Sequence, residues 1–275
     1  MRKYGFWLVL FIGMALLLYA LADEIGPEDW EEYYLPAMAD WRHRDEYGVY
    51  NTPWLILILK PLQWLGADVG YAILAAISWV GMGWGAYALS PDQKWQRVAL
   101  ALINLPMLYV IMLGQVDGIA LIGAVMAAVA VREEGRFTGI ILGMIKPQTT
   151  LGGLVISFWR SPQKPRLLIA GGIFILLSVL IWGLWFEQLV GINIGIGWNR
   201  AFPHFPLGWI FGLPLFLYGL YKREEMYGIA AMPFLVPYYA PQSFITITVF
   251  MVGRLPLRWC WLGWLLPLIW IVLTG

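Results

Sequence analysis

The chain has 275 residues, 60% of them hydrophobic and only 13% charged, with a mean hydropathy of +0.69 and a net charge of +1. A soluble domain carries nearer a quarter charged residues, and a near-neutral chain has no electrostatic footprint for nucleic acid. The single cysteine, Cys260, excludes an internal disulfide and a cysteine-based metal cluster.

Taken in chain order, the first apolar run is Tyr4 to Ala22, behind the basic Met1-Arg2-Lys3. It ends in Ala20-Leu21-Ala22 before Asp23, a small-residue pattern like a leader-peptide cleavage site, but its length favours an uncleaved first span. Further apolar runs cover roughly 69–90, 98–113, 116–131, 137–159, 167–188, 207–221, 227–252 and 259–274. The pattern is that of an all-α, polytopic transmembrane helical bundle forming one integral membrane domain over 1–275. A transmembrane barrel would show short alternating segments instead. Many of the 17 tryptophans are expected in interfacial belts, so an aromatic alone marks no site.

Between the runs, the basic residues set an orientation. Arg2 and Lys3 put the N-terminus inside by the positive-inside rule, with Lys94 and Arg97, Arg132 and Arg136, Arg160, Lys164 and Arg166, Lys222 and Arg223, and Arg254 and Arg258 on the same side. The loop from Asp23 to Asp68 then lies outside. Its apolar piece, Pro53 to Leu65, reaches only about 20 Å as a helix, short of the roughly 30 Å hydrocarbon core, and reads as a re-entrant or surface-lying helix. Run 137–159 has basic clusters at both ends and Lys146-Pro147-Gln148 near its middle. Because Pro147 breaks the hydrogen-bond ladder, two half-helices meeting at that break are expected. Run 227–252 has the same form, with Pro237-Tyr238-Tyr239-Ala240-Pro241-Gln242 at its centre. Broken helices at membrane depth line protein-walled cavities.

The polar passage Asp23 to Tyr50 carries nine acids against Arg42 and Arg44. Within it stand Asp29, then Tyr33-Tyr34, and later Tyr50-Asn51-Thr52-Pro53-Trp54 running into an apolar segment. Gly114-Gln115-Val116-Asp117 precedes an apolar helix and a basic turn. Gly139, Lys146 and Pro147 follow, ahead of the basic Arg160-Ser161-Pro162-Gln163-Lys164. Over about residues 1–170 this ordered set resembles the GT-C glycosyltransferases. It is most similar to glycosyltransferase family 87, the branch related to polyprenyl-phosphate-mannose-dependent mannosyltransferases. Thr52-Pro53-Trp54 stands where that family has Pro-Pro, and Asp117 where it has Asn. Residues 171–275 read as additional transmembrane helices.

The resemblance implies a GT-C-like fold and transfer of a sugar, mannose or another hexose or pentose, with inversion. The donor would be a polyprenyl-phosphate sugar and the acceptor a lipid or glycan, on the extracytoplasmic face of a bacterial or archaeal plasma membrane. It also implies a carboxylate of the first outer loop as general base. Asp29 is the expected base from its place before Tyr33-Tyr34, with Glu28, Glu32 or Asp40 next; an ordinary capping role is its other reading. A carboxylate within hydrogen-bond reach of the acceptor hydroxyl takes its proton as the new bond forms. Lys146 is an ionisable residue within a span, a functional position by default, and a point charge suited to the donor phosphate. The amides opening the following half-helix would add to it. Asp117 is equally well an N-cap, a second acid, a partner of Lys146 or a ligand for a sugar hydroxyl.

Gln115, Tyr33, Tyr34, Tyr50, Asn51, Gln148, Tyr238 and Gln242 complete the expected substrate-binding set. Lys60, Arg42 and Arg44 could touch a phosphate, though membrane-surface anchoring fits them better. His43 and His204 are the only histidines, and no metal-ligand spacing accompanies them; no cofactor is expected. His204, with Asn193, Asn199 and Arg200, belongs to an outer loop. A transporter or flippase of a lipid-linked sugar or anion, and a non-catalytic membrane subunit, remain the rival readings.

Overall fold

The computed structural model describes residues 2–44, 46–49, 51–92, 94–186 and 206–274. Tyr50, and the loop residues Asn193, Asn199, Arg200 and His204, lie outside them. Among the described residues the chain is all-helical. Two of the helices in the described residues are long and apolar enough to cross a membrane on their own, α5 (Ala67–Leu89) and α11 (Lys164–Trp182). At about 1.5 Å per residue α5 is about 34 Å long.

α1 (Arg2–Ala20) packs along α5 and leaves Leu8, Val9, Leu16 and Leu17 exposed, as a lipid-facing surface requires. A short α2 (Ala22–Ile25) leads to a helical turn over Trp30–Tyr34 that runs on as α3 (Leu35–Ala39). α4 (Trp54–Gln63) packs on α3 and α5. Its ten residues cannot span a bilayer. It buries Trp54, Leu55, Ile56 and Leu59, and leaves Leu57 and Ile58 outward.

The run expected as one span over 98–113 is instead two helices, α6 (Lys94–Leu102) and α7 (Leu105–Leu113), bent by 54° at Ile103-Asn104. The cause is local. Asn104 Oδ1 accepts from the Met107 amide at 2.9 Å, an N-cap that starts a new helix, and Pro106 in the first turn has no N–H to continue the old one.

α8 (Asp117–Val129) and α9 (Glu133–Gly143) pack almost backbone to backbone. A Cβ on Gly123 would stand 2.2 Å from the Gly143 nitrogen, and one on Gly139 2.4 Å from the Ala127 nitrogen. These two glycines set the closeness of the pair. After the break at Met144–Lys146, α10 (Pro147–Arg160) returns. Its end meets the start of α9, where Ser161 Oγ donates to Glu133 Oε2 at 2.7 Å. Run 137–159 is thus a hairpin of two antiparallel helices with both basic ends together.

α12 (Trp209–Lys222) precedes the second broken run, α13 (Glu225–Leu235) and α14 (Phe244–Arg254), which folds the same way. Glu224 before α13 pairs with Arg254 ending α14 at 3.4 Å. The two hairpins are joined at that same end, where Arg160 Nη1 donates to both Glu225 oxygens at 2.5 and 2.7 Å. The fully buried Arg97 of α6 donates to the Val252 and Leu255 carbonyls at 2.6 and 2.7 Å. α15 (Leu262–Thr274) closes the chain against α14. The basic clusters therefore gather at one end of the bundle, and the two breaks face the other.

Candidate active site

At the break end, three segments distant in sequence bring polar groups together. The first is the turn Trp30–Tyr34. It is a π-turn in which the Leu35 amide reaches back five residues to the Trp30 carbonyl. A wider turn brings residues five apart onto one face. Asp29 and Tyr34 consequently address the same partner, Gln115. The fully buried Trp30 fixes this segment, its indole donating to the Ala67 carbonyl at 2.9 Å. Tyr33 is more exposed, its ring against Gly48.

The second segment is the turn from α7 into α8. Gly114 has φ +68°, and a Cβ there would stand 2.6 Å from Trp30 Cβ. A side chain is excluded twice, by backbone conformation and by space. The Gln115 amide donates to the Val110 carbonyl at 2.9 Å, which aims its side chain at the first segment. The N-cap of α8 is Val116, so Asp117 is the first helical residue and does not cap.

The third is the break before α10. Lys146 occupies the N-cap position with Pro147 first in the helix. Thr149 Oγ1 donates to the Lys146 carbonyl at 2.9 Å and Thr150 Oγ1 to the Gly143 carbonyl at 2.7 Å, satisfying acceptors that the break frees. Asn51 Nδ2 donates to the Ile145 carbonyl at 3.3 Å and the Trp54 indole to the Ile141 carbonyl at 3.0 Å. The Asn51–Trp54 run is thus a clamp on the outside of the break.

These segments close into one hydrogen-bonded chain. Asp29 Oδ2 accepts from Gln115 Nε2. Gln115 Oε1 accepts from the Tyr34 hydroxyl and from Lys146 Nζ, both at 3.2 Å. Lys146 Nζ lies 2.5 Å from Asp117 Oδ2. Lys146 and Asp117 are 5% and 0% exposed, so this is a buried ion pair, and Asp117 Oδ1 has no hydrogen-bond partner among the described residues. Asp29 is the half-exposed, outward end.

Burial raises the Asp29 carboxyl above its ordinary value of 3.8; the Gln115 hydrogen bond and the Lys146 charge work against that, while Glu28 and Asp117 add to it. A carboxylate so placed is a better base than a solvated one. Tyr238, half-buried in the α13–α14 connection, lies near enough for both Asp117 and Asp29 to act on its hydroxyl electrostatically. The next residue, Tyr239, is fully buried and donates to the Ser243 carbonyl at 3.2 Å. Gln242 is buried in the short turn Pro241–Ser243 against α7, and Gln148 is half-buried at the second position of α10.

Lys60 is turned inward, donating to the Met38 carbonyl; Arg42 lies 5.2 Å over the Trp41 ring, and Arg44 is buried. Among the described residues no three histidine, cysteine or carboxylate side chains gather as a metal centre. The residues missed by sequence reasoning are Trp30, Thr149 and Thr150, which position the others. The signal available for the threonines was their place directly after Lys-Pro-Gln in a broken run.

The model of glycosyltransferase family 87 matches residues 50–192. The chain belongs to that family. As a family 87 protein with helices apolar enough to cross a bilayer, it is a membrane glycosyltransferase. Comparison with curated proteins and with solved structures finds no match. The family match takes in Asn51, Gln115, Asp117 and Lys146 and reaches past residue 170. It begins after Asp29, Tyr33 and Tyr34, of which Asp29 and Tyr34 join the matched residues through Gln115.

Proposed function

We propose that this family 87 glycosyltransferase moves a sugar from a polyprenyl-phosphate donor to an acceptor hydroxyl on the extracytoplasmic face, with inversion, and that Asp29 is the general base. The observation that carries the reading is the chain running from a half-exposed carboxylate, through Gln115, to a buried lysine at a helix break. It sets a proton acceptor and a cation at opposite ends of one connected group.

In this reaction the acceptor O–H proton passes to the Asp29 carboxylate as the acceptor oxygen bonds to the anomeric carbon. The bond from that carbon to the phosphate oxygen breaks, and polyprenyl phosphate leaves with the electron pair. Lys146 has three N–H groups, of which Gln115 and Asp117 take two. The third, with the first free amide of α10 at Gln148, is directed to the phosphate. Tyr238 and Gln242 on the second hairpin, and Tyr33 beside Asp29, would line the sugar and acceptor. The donor is best assayed as polyprenyl-phosphate mannose, with other hexose and pentose donors beside it.

The test is transfer by the purified protein in lipid, wild type against Asp29→Asn. Loss of at least about a hundredfold in kcat is expected, the scale of general-base catalysis. Undiminished transfer by the variant would remove Asp29 from the role.

A further inference from the structure

Gln115 has its amide orientation forced by its neighbours. Lys146 Nζ can only donate, so Gln115 must turn its carbonyl oxygen toward it, and the Tyr34 hydroxyl donates to the same oxygen. An ionised Asp29 can only accept, so it receives the Gln115 NH2. Flipping the amide would set NH2 against an ammonium and carbonyl against carboxylate. The backbone beneath is equally fixed: the Gln115 amide is bonded to Val110, Gly114 is in the left-handed conformation, and the side chain is 8% exposed. Gln115 is thus buried behind Asp29, with its oxygen and one of its two N–H groups taken by protein groups.

We infer that Gln115 is a positioning residue, holding one Asp29 oxygen inward through its NH2 so that the other oxygen is presented outward to the acceptor hydroxyl, and that it acts through Asp29 rather than by touching substrate. This rests on Asp29 as the base. Tyr34 belongs to the same device, because its hydroxyl helps fix which way the Gln115 amide faces. The Gln115 amide accepts from a cation and donates to an anion at once.

The inference separates from a structural role by what happens to Asp29. A hydrogen bond to the ionised form of a carboxyl favours that form. Removing it moves the Asp29 titration upward by roughly one pH unit, as expected for a bond to a charged group. The measurement is pH-dependent labelling of Asp29 by dicyclohexylcarbodiimide, which reacts with the protonated carboxyl, read by peptide mass spectrometry on the full chain in nanodiscs. Wild type, Gln115→Met and Tyr34→Phe are compared after circular dichroism confirms folding. The labelling midpoint is expected to rise in Gln115→Met and, by less, in Tyr34→Phe, which serves alone should the first variant not fold. In transfer from polyprenyl-phosphate mannose, Gln115→Met should lower kcat by about 10- to 100-fold, leave the donor KM nearly unchanged, and move the acid limb of the pH profile up with the labelling midpoint.

An unmoved midpoint in the folded variants overturns the inference, as does a loss confined to KM. If Asp29→Asn transfers as well as wild type, it is the assignment of the base that fails. The labelling result still stands on its own in that case, so the two failures are told apart.

Discussion

Breaking the Lys146–Asp117 pair on one side only should unfold this protein more readily than removing both partners. At 2.5 Å the two charges attract by about 6–7 kcal/mol at an effective dielectric of 20, and that attraction offsets the cost of taking both out of water. With 5% and 0% exposure, neither partner can recover hydration when the other is lost. Lys146→Met leaves a buried carboxylate whose Oδ1 has no hydrogen-bond partner among the described residues, and Asp117→Leu leaves a buried ammonium with the Gln115 oxygen as its acceptor. Each single change should cost about 3–5 kcal/mol. The double variant should return to within about 1–2 kcal/mol of wild type, because replacing both ions by apolar groups is often near neutral. The assay is reversible unfolding in mixed micelles, followed by circular dichroism, as a double-mutant cycle. Single changes costing under about 1 kcal/mol and adding without coupling would refute the buried pair. The cycle also bears on function. Loss of donor binding in Lys146→Met alone mixes misfolding with a missing cation, whereas loss in the stable double variant isolates the cation.

Three other outcomes follow from the same geometry. Transfer should fail as pH falls through the Asp29 titration, at a pH above the ordinary aspartate value because burial raises that carboxyl; removing the Asp117 charge with Asp117→Asn should move this acid limb down, since that charge helps to raise it, and a pH–rate profile of kcat/KM reads both. Gly114→Ala should destabilise by more than about 2 kcal/mol, from a strained left-handed backbone and a Cβ driven into Trp30, measured by the same unfolding. Asn104→Ala should cost about 1 kcal/mol through loss of the cap that starts α7, with Asn104→Asp retaining most of it.

Sequence reading succeeded where one local pattern sufficed. The fold of run 137–159 was legible because basic residues stand at both ends and Lys-Pro in the middle, and no straight helix satisfies both. The bend between α6 and α7 was not, since Asn104 is a single polar residue in an apolar run and its capping role depends on which amide it meets. The side of the helix that Tyr34 shares with Asp29 was also hidden. Ordinary helical spacing selects Tyr33, four residues on, and it takes the π-turn to exchange it for Tyr34. Asn51 was read as a contact to substrate, and the clamp it makes through one N–H on the Ile145 carbonyl was not foreseen. The chain Asp29–Gln115–Lys146 joins residues 86 and 31 positions apart, and no periodicity reports such pairs.

The two hairpins explain why the charged groups divide as they do. A helix that turns back at a break returns both of its ends to one side, so its flanking arginines meet there and need counter-ions. Glu133, Glu224 and Glu225 supply them at the starts of α9 and α13, where the helix dipole also favours an acid. The break end has the opposite need. It frees carbonyls and amides of the helix ends, and where these are buried they must be met by side chains or by a ligand. Thr149, Thr150, Asn51 and Trp54 meet the carbonyls of the first break. The cation at that break is met by Asp117 and Gln115. What is left over among the described residues is one N–H of Lys146, the Gln148 amide opening α10, Asp117 Oδ1 and the second oxygen of Asp29. A break that had only to be stable could be finished with an apolar residue at 146, at no cost in buried charge. Keeping a lysine there, with a carboxylate to hold it and a glutamine to relate it to Asp29, is what the proposed transfer would use, a cation for the donor phosphate beside a carboxylate for the acceptor hydroxyl.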